Sequence, residues 1–127
     1  MIIGIGTDLL VISRLEKVYN KFGNRFVEKI LSDKECEIFA KVVKKVEYLA
    51  KKFSVKEAIT KSVGLGIGRG INMNDISILS NELGQPFVKF NDKVDAFLLE
   101  RYKAEIKIHI SITDEGGMVN AVAVAEK

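Results

Sequence analysis

The sequence predicts a single α+β domain spanning residues 1–127, because the periodicity of its apolar residues is helical first and strand-like later. From Val11 to Val63, apolar residues recur every three or four positions, as on the buried face of a helix. After a glycine-rich run, apolar and polar residues alternate instead, as in half-buried strands. A length of 127 residues fits one domain, and no linker or repeat divides it.

The first half of the chain is predicted to begin with a strand and to continue with helices. Residues 2–7 are β-branched and glycine-rich, so we expect a buried strand with Asp8 at its carboxyl end. A helix is expected from about Val11 to Phe22, where Gly23 and Asn24 stop it. A second short helix should follow directly, because apolar residues continue at helical spacing.

A capping box predicts the start of the third helix. Ser32 and Glu35 have the spacing at which the serine oxygen and the glutamate carboxylate each accept a hydrogen bond from a free backbone N–H. Cys36 follows on this helix as the only cysteine, so no internal disulfide is possible and a reducing compartment is expected. Lys44 to Val63 then predicts one long helix, which the glycines end.

The second half is predicted to form an antiparallel sheet and one more helix. Ile76–Ile78 and Phe87–Phe90 are expected to be strands, joined by a turn that holds the only proline. A short helix is expected over Asp92–Tyr102, and the strands Glu105–Thr113 and Val119–Ala125 should close the chain as a hairpin. Both faces of the last strand are small and apolar, which predicts burial on both sides. The predicted architecture is an antiparallel sheet packed against a long helix and several short helices.

Composition argues against several classes of function. The formal net charge of +3 does not by itself indicate a nucleic-acid binder. No run approaches the roughly 20 apolar residues of a membrane span, and the first residues lack the basic region of a secretory signal. We therefore expect a cytoplasmic protein that binds neither nucleic acid nor membranes.

Three charged residues predict a site for metal-assisted chemistry on a phosphate-bearing substrate. Glu57 and Lys61 lie four residues apart and share a helix face, while Asp8 ends an apolar strand. Mg²⁺ usually takes one or two protein carboxylates and completes its octahedron with water and phosphate oxygens, a need that Asp8 and Glu57 would meet. The alternatives are a surface ion pair between Glu57 and Lys61, contributing about 0.3–0.5 kcal/mol, and an N-cap role for Asp8.

Two further segments carry residues suited to binding. A run of alternating glycines that begins with Gly64 and Gly66 could cradle a phosphate. It could also simply end a helix, since the run lacks the lysine and hydroxyl of a Walker loop. His109, Ser111 and Thr113 alternate with isoleucines and share the polar face of a strand, which is either solvent-exposed or part of a site.

A basic surface is predicted on the first two helices. It combines cations with apolar side chains: Arg14, Lys17, Lys21, Arg25 and Lys29 with Val18, Phe22 and Phe26. Such a surface is either merely solvated or a landing site for an acidic partner.

Four segments resemble the motifs of one known family. They are Gly4-Ile5-Gly6-Thr7-Asp8 through Arg14, Phe53-x-x-Lys56-Glu57-Ala58-x-x-Lys61-x-x-Gly64-x-Gly66, Gly84-Gln85-Pro86, and His109-Ile110-Ser111-Ile112-Thr113. On these motifs the chain resembles, over essentially its whole length, the holo-acyl-carrier-protein synthases, the small phosphopantetheinyl transferases of fatty acid synthesis. The second motif is specific, and it stands at the correct spacing from the first.

The resemblance implies a 4′-phosphopantetheinyl transferase-like fold and a reaction. Coenzyme A would donate 4′-phosphopantetheine to a serine hydroxyl of apo-acyl carrier protein, releasing adenosine 3′,5′-bisphosphate. Asp8 and Glu57 would hold Mg²⁺, and Lys61 would neutralise charge on the transferring phosphate. Glu57, acting through a water, or Lys61 would take the serine proton.

The resemblance also implies how substrates and subunits are arranged. Coenzyme A would be bound by residues from the long helix, the glycine run and a late strand: Lys52, Lys61, Gly64, Gly66, His109, Ser111 and Thr113. Family members are trimers with sites between protomers, so His109 would reach coenzyme A across a subunit boundary. Arg14 and its basic and apolar neighbours, Lys17, Val18, Lys21, Phe22, Arg25 and Phe26, would receive the acidic helix of the carrier protein.

The chain departs from the family at two positions. Asp114 stands where many relatives have a second histidine, and it could instead approach the metal or a positively charged neighbour. Lys52 stands where relatives can have arginine, so a phosphate contact there would lack the bidentate geometry of a guanidinium. A rival interpretation is a non-catalytic module that binds acidic helical proteins through its first two helices. That module would leave Asp8, Glu57 and Lys61 unexplained.

Overall fold

The chain forms five helices and five strands in the predicted order, and the α+β class is confirmed. The computed structural model describes residues 1–127. The elements are β1 (Ile2–Val11), α1 (Ile12–Phe22), α2 (Asn24–Ile30), α3 (Asp33–Phe39), α4 (Lys45–Ser62), β2 (Ile76–Ser80), β3 (Pro86–Phe90), α5 (Asp92–Tyr102), β4 (Lys107–Glu115) and β5 (Met118–Glu126), with a 3₁₀ turn at Met73–Asp75.

The strands form two antiparallel sheets instead of one. In the larger sheet β5 lies between β1 and β4, so the last strand has a hydrogen-bonded neighbour on each edge. Strands β2 and β3 pair only with each other, through the predicted turn. The β4–β5 hairpin is longer than expected, because Asp114 and Glu115 still pair with β5 and leave only Gly116 and Gly117 to turn the chain.

Strand β1 extends beyond its predicted end. We expected it to end at Asp8, but Leu9, Leu10 and Val11 continue to pair with β5. Asp8 therefore lies inside the strand, with Ala121 as its partner. The alternative N-cap role for Asp8 is wrong, because α1 begins at Ile12 and no side chain caps it.

Two glycines let α4 pack directly on the backbone of β1. A Cβ at Gly6 would collide with the carbonyl oxygen of Ala58, and a Cβ at Gly4 would collide with that of Ser62. Two residues of a strand advance about 6.7 Å and four residues of a helix about 6 Å, so contacts between the antiparallel elements repeat in register. The next step of this register brings Asp8 beside Ser54.

Helix α4 is buried on most of its surface, because it lies between the larger sheet and the shorter helices. Its fully buried apolar residues are Leu49, Ala50, Val55, Ala58 and Ile59. The inward face of β5 presents Val119 and three alanines, Ala121, Ala123 and Ala125, all fully buried. The outward face of β5 is only half-buried within one chain, so the predicted burial on both sides is met on one side alone.

A buried ion pair, which the sequence analysis did not predict, joins α3 to α4. The Lys56 ammonium lies 2.5 Å from Oε1 of Glu35, and both side chains are fully buried. Glu35 also accepts hydrogen bonds from the backbone N–H groups of Ser32 and Ile78, while Lys56 donates a second bond to the carbonyl of Ile30. The predicted capping box is confirmed, and its glutamate holds the β2–β3 hairpin and α4 as well.

Candidate functional site

Asp8 is the centre of the candidate site. The buried Ser54 hydroxyl donates to Asp8 Oδ2 over 2.9 Å, and the Lys61 ammonium lies 3.5 Å from Oδ1. Lys61 also donates to the carbonyl of Thr7 over 2.9 Å, and the Asn120 amide donates to the Asp8 carbonyl over 3.1 Å. Side chain and backbone of Asp8 are thus both fixed by neighbouring elements.

Glu57 lies next to this cluster, on α4 between Ser54 and Lys61. Burial raises the pKa of the Glu57 carboxyl, the negative charge of Asp8 raises it further, and Lys61 opposes the shift. The ion pair of Lys61 is made with Asp8 and not with Glu57, so the alternative of a simple surface pair within the helix is wrong. The fold brings Asp8, Glu57 and Lys61 together.

The two carboxylates suit a hard divalent cation. No group of three or more His, Cys, Asp or Glu side chains is arranged to hold a metal. Mg²⁺, however, commonly uses one or two protein carboxylates and takes its other ligands from water and substrate phosphates. Asp8 and Glu57 repel one another, as the raised pKa of Glu57 indicates, and a shared cation would relieve that repulsion.

The glycine run begins at the C-terminal end of α4, one turn after Lys61. Gly64 ends the helix, which confirms the C-cap interpretation at this position. The residues from Gly66 to Arg69, which follow the last turn of α4, are exposed. Beyond the helix end, the backbone N–H groups of Gly66 and Ile67 have no backbone acceptor, whereas those of Gly68 and Arg69 donate to the carbonyls of Ile71 and Gly66.

Two lysines of α4 bind partners outside that cluster. Lys52 donates to the carbonyl of Ile78 over 2.9 Å and lies 4.8 Å from the centre of the Tyr48 ring. Burial lowers the pKa of the Lys52 ammonium, although Glu35 partly restores it. Lys51 forms an ion pair with Asp114 at 3.4 Å, so the positively charged neighbour considered for Asp114 is Lys51.

His109, Ser111 and Thr113 lie on the outer face of the larger sheet. His109 pairs with Val124, whose side chain points outward, whereas Asp8 pairs with Ala121, whose side chain points inward. The imidazole Nε2 of His109 lies 3.2 Å from Oε2 of Glu126. Within one chain, His109 and Asp8 therefore face opposite sides of the same sheet.

The predicted basic surface is exposed and contains a groove. Between α1 and α2 the groove has a volume of about 250 Å³, and it is lined by Val18, Phe22, Arg25, Phe26 and Lys29. Phe22 is 46% exposed, and the Lys21 ammonium lies 5.3 Å from the centre of its ring. Arg14 and Lys17 are exposed on the same helix α1.

Two polar residues of the site were missed by the sequence analysis. Ser54 lies one turn before the Ala58 that contacts Gly6, and only the packing of α4 on β1 reveals its partner. Asn120 is the one polar residue among the small apolar residues of β5. That break in the pattern could have marked Asn120 as a residue with a specific polar partner.

Comparison with known proteins agrees with the motifs. The family model of the 4′-phosphopantetheinyl transferase superfamily matches residues 4–118. The holo-[acyl-carrier-protein] synthase of Nitrosospira multiformis is 35% identical over 127 residues, covering 100% of both chains. The crystal structure of the synthase from Neisseria meningitidis matches with a TM-score of 0.92 at 37% identity, covering 100% of both chains. The crystal structure of the Bacillus anthracis synthase, in complex with CoA (3′,5′-ADP), matches with a TM-score of 0.81 at 29% identity. The match covers 98% of this chain and 96% of the other.

These matches confirm the resemblance drawn from the motifs and favour an enzyme over a non-catalytic binding module. No helix of the structure combines the length and the apolar character needed to cross a bilayer. The chain belongs to the 4′-phosphopantetheinyl transferase superfamily and, within it, to the holo-[acyl-carrier-protein] synthases.

Proposed function

We propose that the protein transfers 4′-phosphopantetheine from coenzyme A to a serine of apo-acyl carrier protein, with Mg²⁺, for fatty acid synthesis in the cytoplasm. The serine oxygen bonds to the β-phosphorus of coenzyme A as the bond from that phosphorus to the bridging oxygen breaks. The bridging oxygen leaves with adenosine 3′,5′-bisphosphate, and the serine proton passes to a base. The family assignment supports the transfer, and a relative was solved in complex with CoA (3′,5′-ADP).

The convergence of Asp8, Glu57 and Lys61 beside the glycine run carries this proposal. Phosphoryl transfer requires little covalent assistance from a protein, but it requires in-line positioning and positive charge near the phosphate oxygens. Two carboxylates and one ammonium group from β1 and α4, together with the free backbone N–H groups of Gly66 and Ile67 in the following loop, would meet those requirements.

Asp8 and Glu57 are the residues that would hold Mg²⁺. They lie close enough for Asp8 to raise the pKa of Glu57, and Ser54 restricts the orientation of the Asp8 carboxylate. When bound, Mg²⁺ supplies Lewis acidity and a template for the diphosphate oxygens.

We assign Lys61 to neutralise charge on the transferring phosphate. Its ammonium is anchored by the Thr7 carbonyl and by Asp8, yet its side chain is still 52% exposed, so part of it is free to meet an anion. Because Lys61 is already engaged by Asp8 and the Thr7 carbonyl, we assign Glu57, acting through a water, as the acceptor of the serine proton. Lys61 is the second choice as acceptor.

Coenzyme A would bind along the end of α4 and across a subunit boundary. We assign Lys61, Gly64 and Gly66 to one protomer and His109, with Ser111 and Thr113, to its neighbour. Lys52 would have to leave the carbonyl of Ile78 before it could take part.

A homotrimer is proposed from the family resemblance, and the outer face of the larger sheet supports contact between copies because it is unusually apolar for a free surface. Ile5 and Leu9 are each 64% exposed on this face. Val11, Met118, Val122 and Val124 extend the patch. His109 shares the face, so packing the patch against other copies would also carry His109 towards a neighbour's site.

The groove between α1 and α2 is the surface proposed for the acyl carrier protein. Arg14, Lys17, Lys21 and Arg25 would attract the acidic helix of the carrier. The exposed apolar groove lined by Val18, Phe22 and Phe26 would accept its apolar side chains.

The test is incubation of the purified protein with coenzyme A, Mg²⁺ and an apo-acyl carrier protein, followed by intact mass spectrometry. We expect the carrier to gain one phosphopantetheine and the reaction to stop when EDTA removes the metal. Asp8→Ala and Glu57→Ala should each abolish turnover while the circular dichroism spectrum stays unchanged. Glu47→Ala, which removes a different carboxylate from the same helix, is the matched control and should keep its activity.

Two outcomes would contradict the proposal. A wild-type protein that forms a stable complex with the carrier but never modifies it would favour a binding module. A Glu57→Ala variant that modifies the carrier at the wild-type rate would show that Glu57 is not a metal ligand.

A further inference from the structure

We propose that α5 braces the glycine loop, defined here as residues 64–70, and that Tyr102 and Phe97 are positioning residues for coenzyme A binding. This inference rests on the proposed function, in which the loop contacts the phosphates of coenzyme A. Helix α5 carries none of the residues assigned above to the metal, to the substrates or to proton transfer, so its role is otherwise unassigned.

The loop starts from a well-defined helix end. The N–H of Gly64 donates to the carbonyl of Lys61 over 3.0 Å, and the N–H of Leu65 donates to that of Thr60 over 2.9 Å. This pair of bonds is the Schellman arrangement, in which a glycine with positive φ reverses the direction of the chain. It leaves the carbonyl of the C-cap residue, Val63, without a backbone partner.

Tyr102 supplies the missing partner. Its hydroxyl donates to the Val63 carbonyl over 2.5 Å, a short hydrogen bond between the last residue of α5 and the C-cap of α4. A carbonyl at a helix C-terminus carries partial negative charge, which would oppose an anionic substrate nearby. The phenol therefore fixes the start of the loop and offsets part of that charge.

Phe97 holds the other end of the loop. A Cβ built on Gly70 would lie 2.7 Å from Cζ of Phe97, so the ring packs directly against the backbone of Gly70. Phe97 and Tyr102 thus reach from one helix to both ends of the glycine loop.

The helix that carries these two residues is itself anchored. Val94 and Leu98 of α5 belong to the buried core that also contains Ile59 of α4 and its C-cap residue, Val63. The middle of the loop, from Gly66 to Arg69, is exposed. A segment that is held at both ends and open in the middle is preorganised for a ligand, because less conformational entropy is lost on binding.

The experiment compares coenzyme A binding and loop dynamics in wild type and Tyr102→Phe, which deletes the hydroxyl and keeps the ring. We expect the Kd and KM for coenzyme A to rise about 3–10-fold, as for the loss of one hydrogen bond, while kcat and the KM for the carrier protein stay unchanged. Amide hydrogen exchange should accelerate in peptides covering residues 64–70. Phe97→Leu, which loosens the other end of the loop, should also raise the Kd and KM for coenzyme A and accelerate exchange in the loop. If Tyr102→Phe does not fold, Phe97→Leu is the variant that tests the proposal.

Tyr48→Phe is the matched control, because the Tyr48 hydroxyl also donates to a backbone carbonyl, that of Glu35, over 3.5 Å. It should leave coenzyme A affinity and exchange in the loop unchanged. The proposal would be overturned if Tyr102→Phe lowered the stability of the protein but left both the affinity for coenzyme A and the amide hydrogen exchange of the loop at wild-type values. A wild-type protein that transfers no phosphopantetheine would refute the proposed function instead, and hydrogen exchange in the loop would still decide whether α5 braces it.

Discussion

The Ser54 hydroxyl donates to Asp8 Oδ2 over 2.9 Å and joins the middle of α4 to the inner face of β1. Ser54 is fully buried and the Asp8 side chain is 16% exposed, so water competes little for this bond. Lys61 lies 3.5 Å from the other oxygen of the same carboxylate. Residues from two turns of α4 therefore orient both oxygens of a proposed metal ligand.

Ser54→Ala should impair catalysis without unfolding the protein. A residue that orients a metal ligand typically contributes about 10–100-fold in activity or metal affinity, so we expect kcat to fall at least 10-fold and the Mg²⁺ needed for half-activation to rise. Ser62→Ala is the matched control, because the Ser62 hydroxyl on the same helix bonds only to the carbonyl of Ile59. Steady-state rates across a Mg²⁺ titration measure the effect. Identical titration curves for wild type and Ser54→Ala would contradict it.

The parts of the site that local periodicity controls could be predicted from the sequence. Glu57 and Lys61 share a face because they are four residues apart on one helix, whatever surrounds it. The approach of Asp8 depends on the close packing of β1 on α4, which no local pattern encodes. Its place in the site was inferred from chemistry and from the family motif.

Other features depended on contacts between distant segments. The capping box predicted one contact of Glu35 correctly, but its bonds to Lys56 and to the N–H of Ile78 require α4 and β2 to lie over α3. The side chain of Lys52 is directed by the carbonyl of Ile78, which lies 26 residues away in the sequence. The length of β1 was underestimated because Leu9 to Val11 are held by their pairing with β5.

Gly6→Ala should destabilise the fold more than an ordinary overpacking mutation. The added methyl would meet the carbonyl of Ala58 and the N–H of Ser62, which are backbone atoms of α4 and cannot rotate away. Overpacking typically costs about 1–3 kcal/mol, and we expect at least the upper end of that range in the free energy of unfolding. Gly66→Ala is the control for stability, since nothing lies within 4 Å of a Cβ at Gly66. Urea unfolding curves that coincide for Gly6→Ala and wild type would show that α4 does not pack this closely.

Lys56→Met should be strongly destabilising although Lys56 touches no substrate in the proposed mechanism. The substitution leaves the fully buried Glu35 without its ammonium partner, and breaking a buried pair in this way typically costs about 3–5 kcal/mol. Lys34→Met, which removes an exposed ammonium beside Glu35, should change the free energy of unfolding by less than about 0.5 kcal/mol. Urea denaturation of both variants measures the difference. A loss below about 1 kcal/mol for Lys56→Met would mean that the pair is not buried.

Arg14→Glu should weaken the productive encounter with the carrier protein more than it weakens coenzyme A binding. Arg14 acts through the long-range attraction of its exposed charge for the acidic carrier. That attraction is screened over about 10 Å at 0.1 M salt. We expect the KM for the carrier to rise about 10-fold at low salt and the difference from wild type to shrink as salt is added. Lys89→Glu makes the same charge change on β3 and should leave the carrier KM unchanged. Equal losses for coenzyme A and carrier would argue against separate surfaces.

His109 and Asp8 point to opposite faces of the larger sheet, so one chain does not bring both to the same site. If both contribute to one site, as we propose, that site contains residues of two protomers. A variant that lacks Asp8 and a variant that lacks His109 should then complement each other, so that activity is restored when their subunits exchange.

Mixing Asp8→Ala with His109→Ala in equal amounts tests this arrangement. In randomly assembled trimers about a quarter of the sites combine an intact Asp8 from one protomer with an intact His109 from its neighbour, so activity should recover to about a quarter of the wild-type value. The measurement is the rate of carrier modification after partial unfolding and refolding of the mixture, compared with each variant refolded alone. Leu9→Glu, placed in the apolar outer face, should leave monomers in light scattering and prevent the recovery. If the mixture is no more active than the sum of its separate components while trimers are present, the site does not span a subunit boundary.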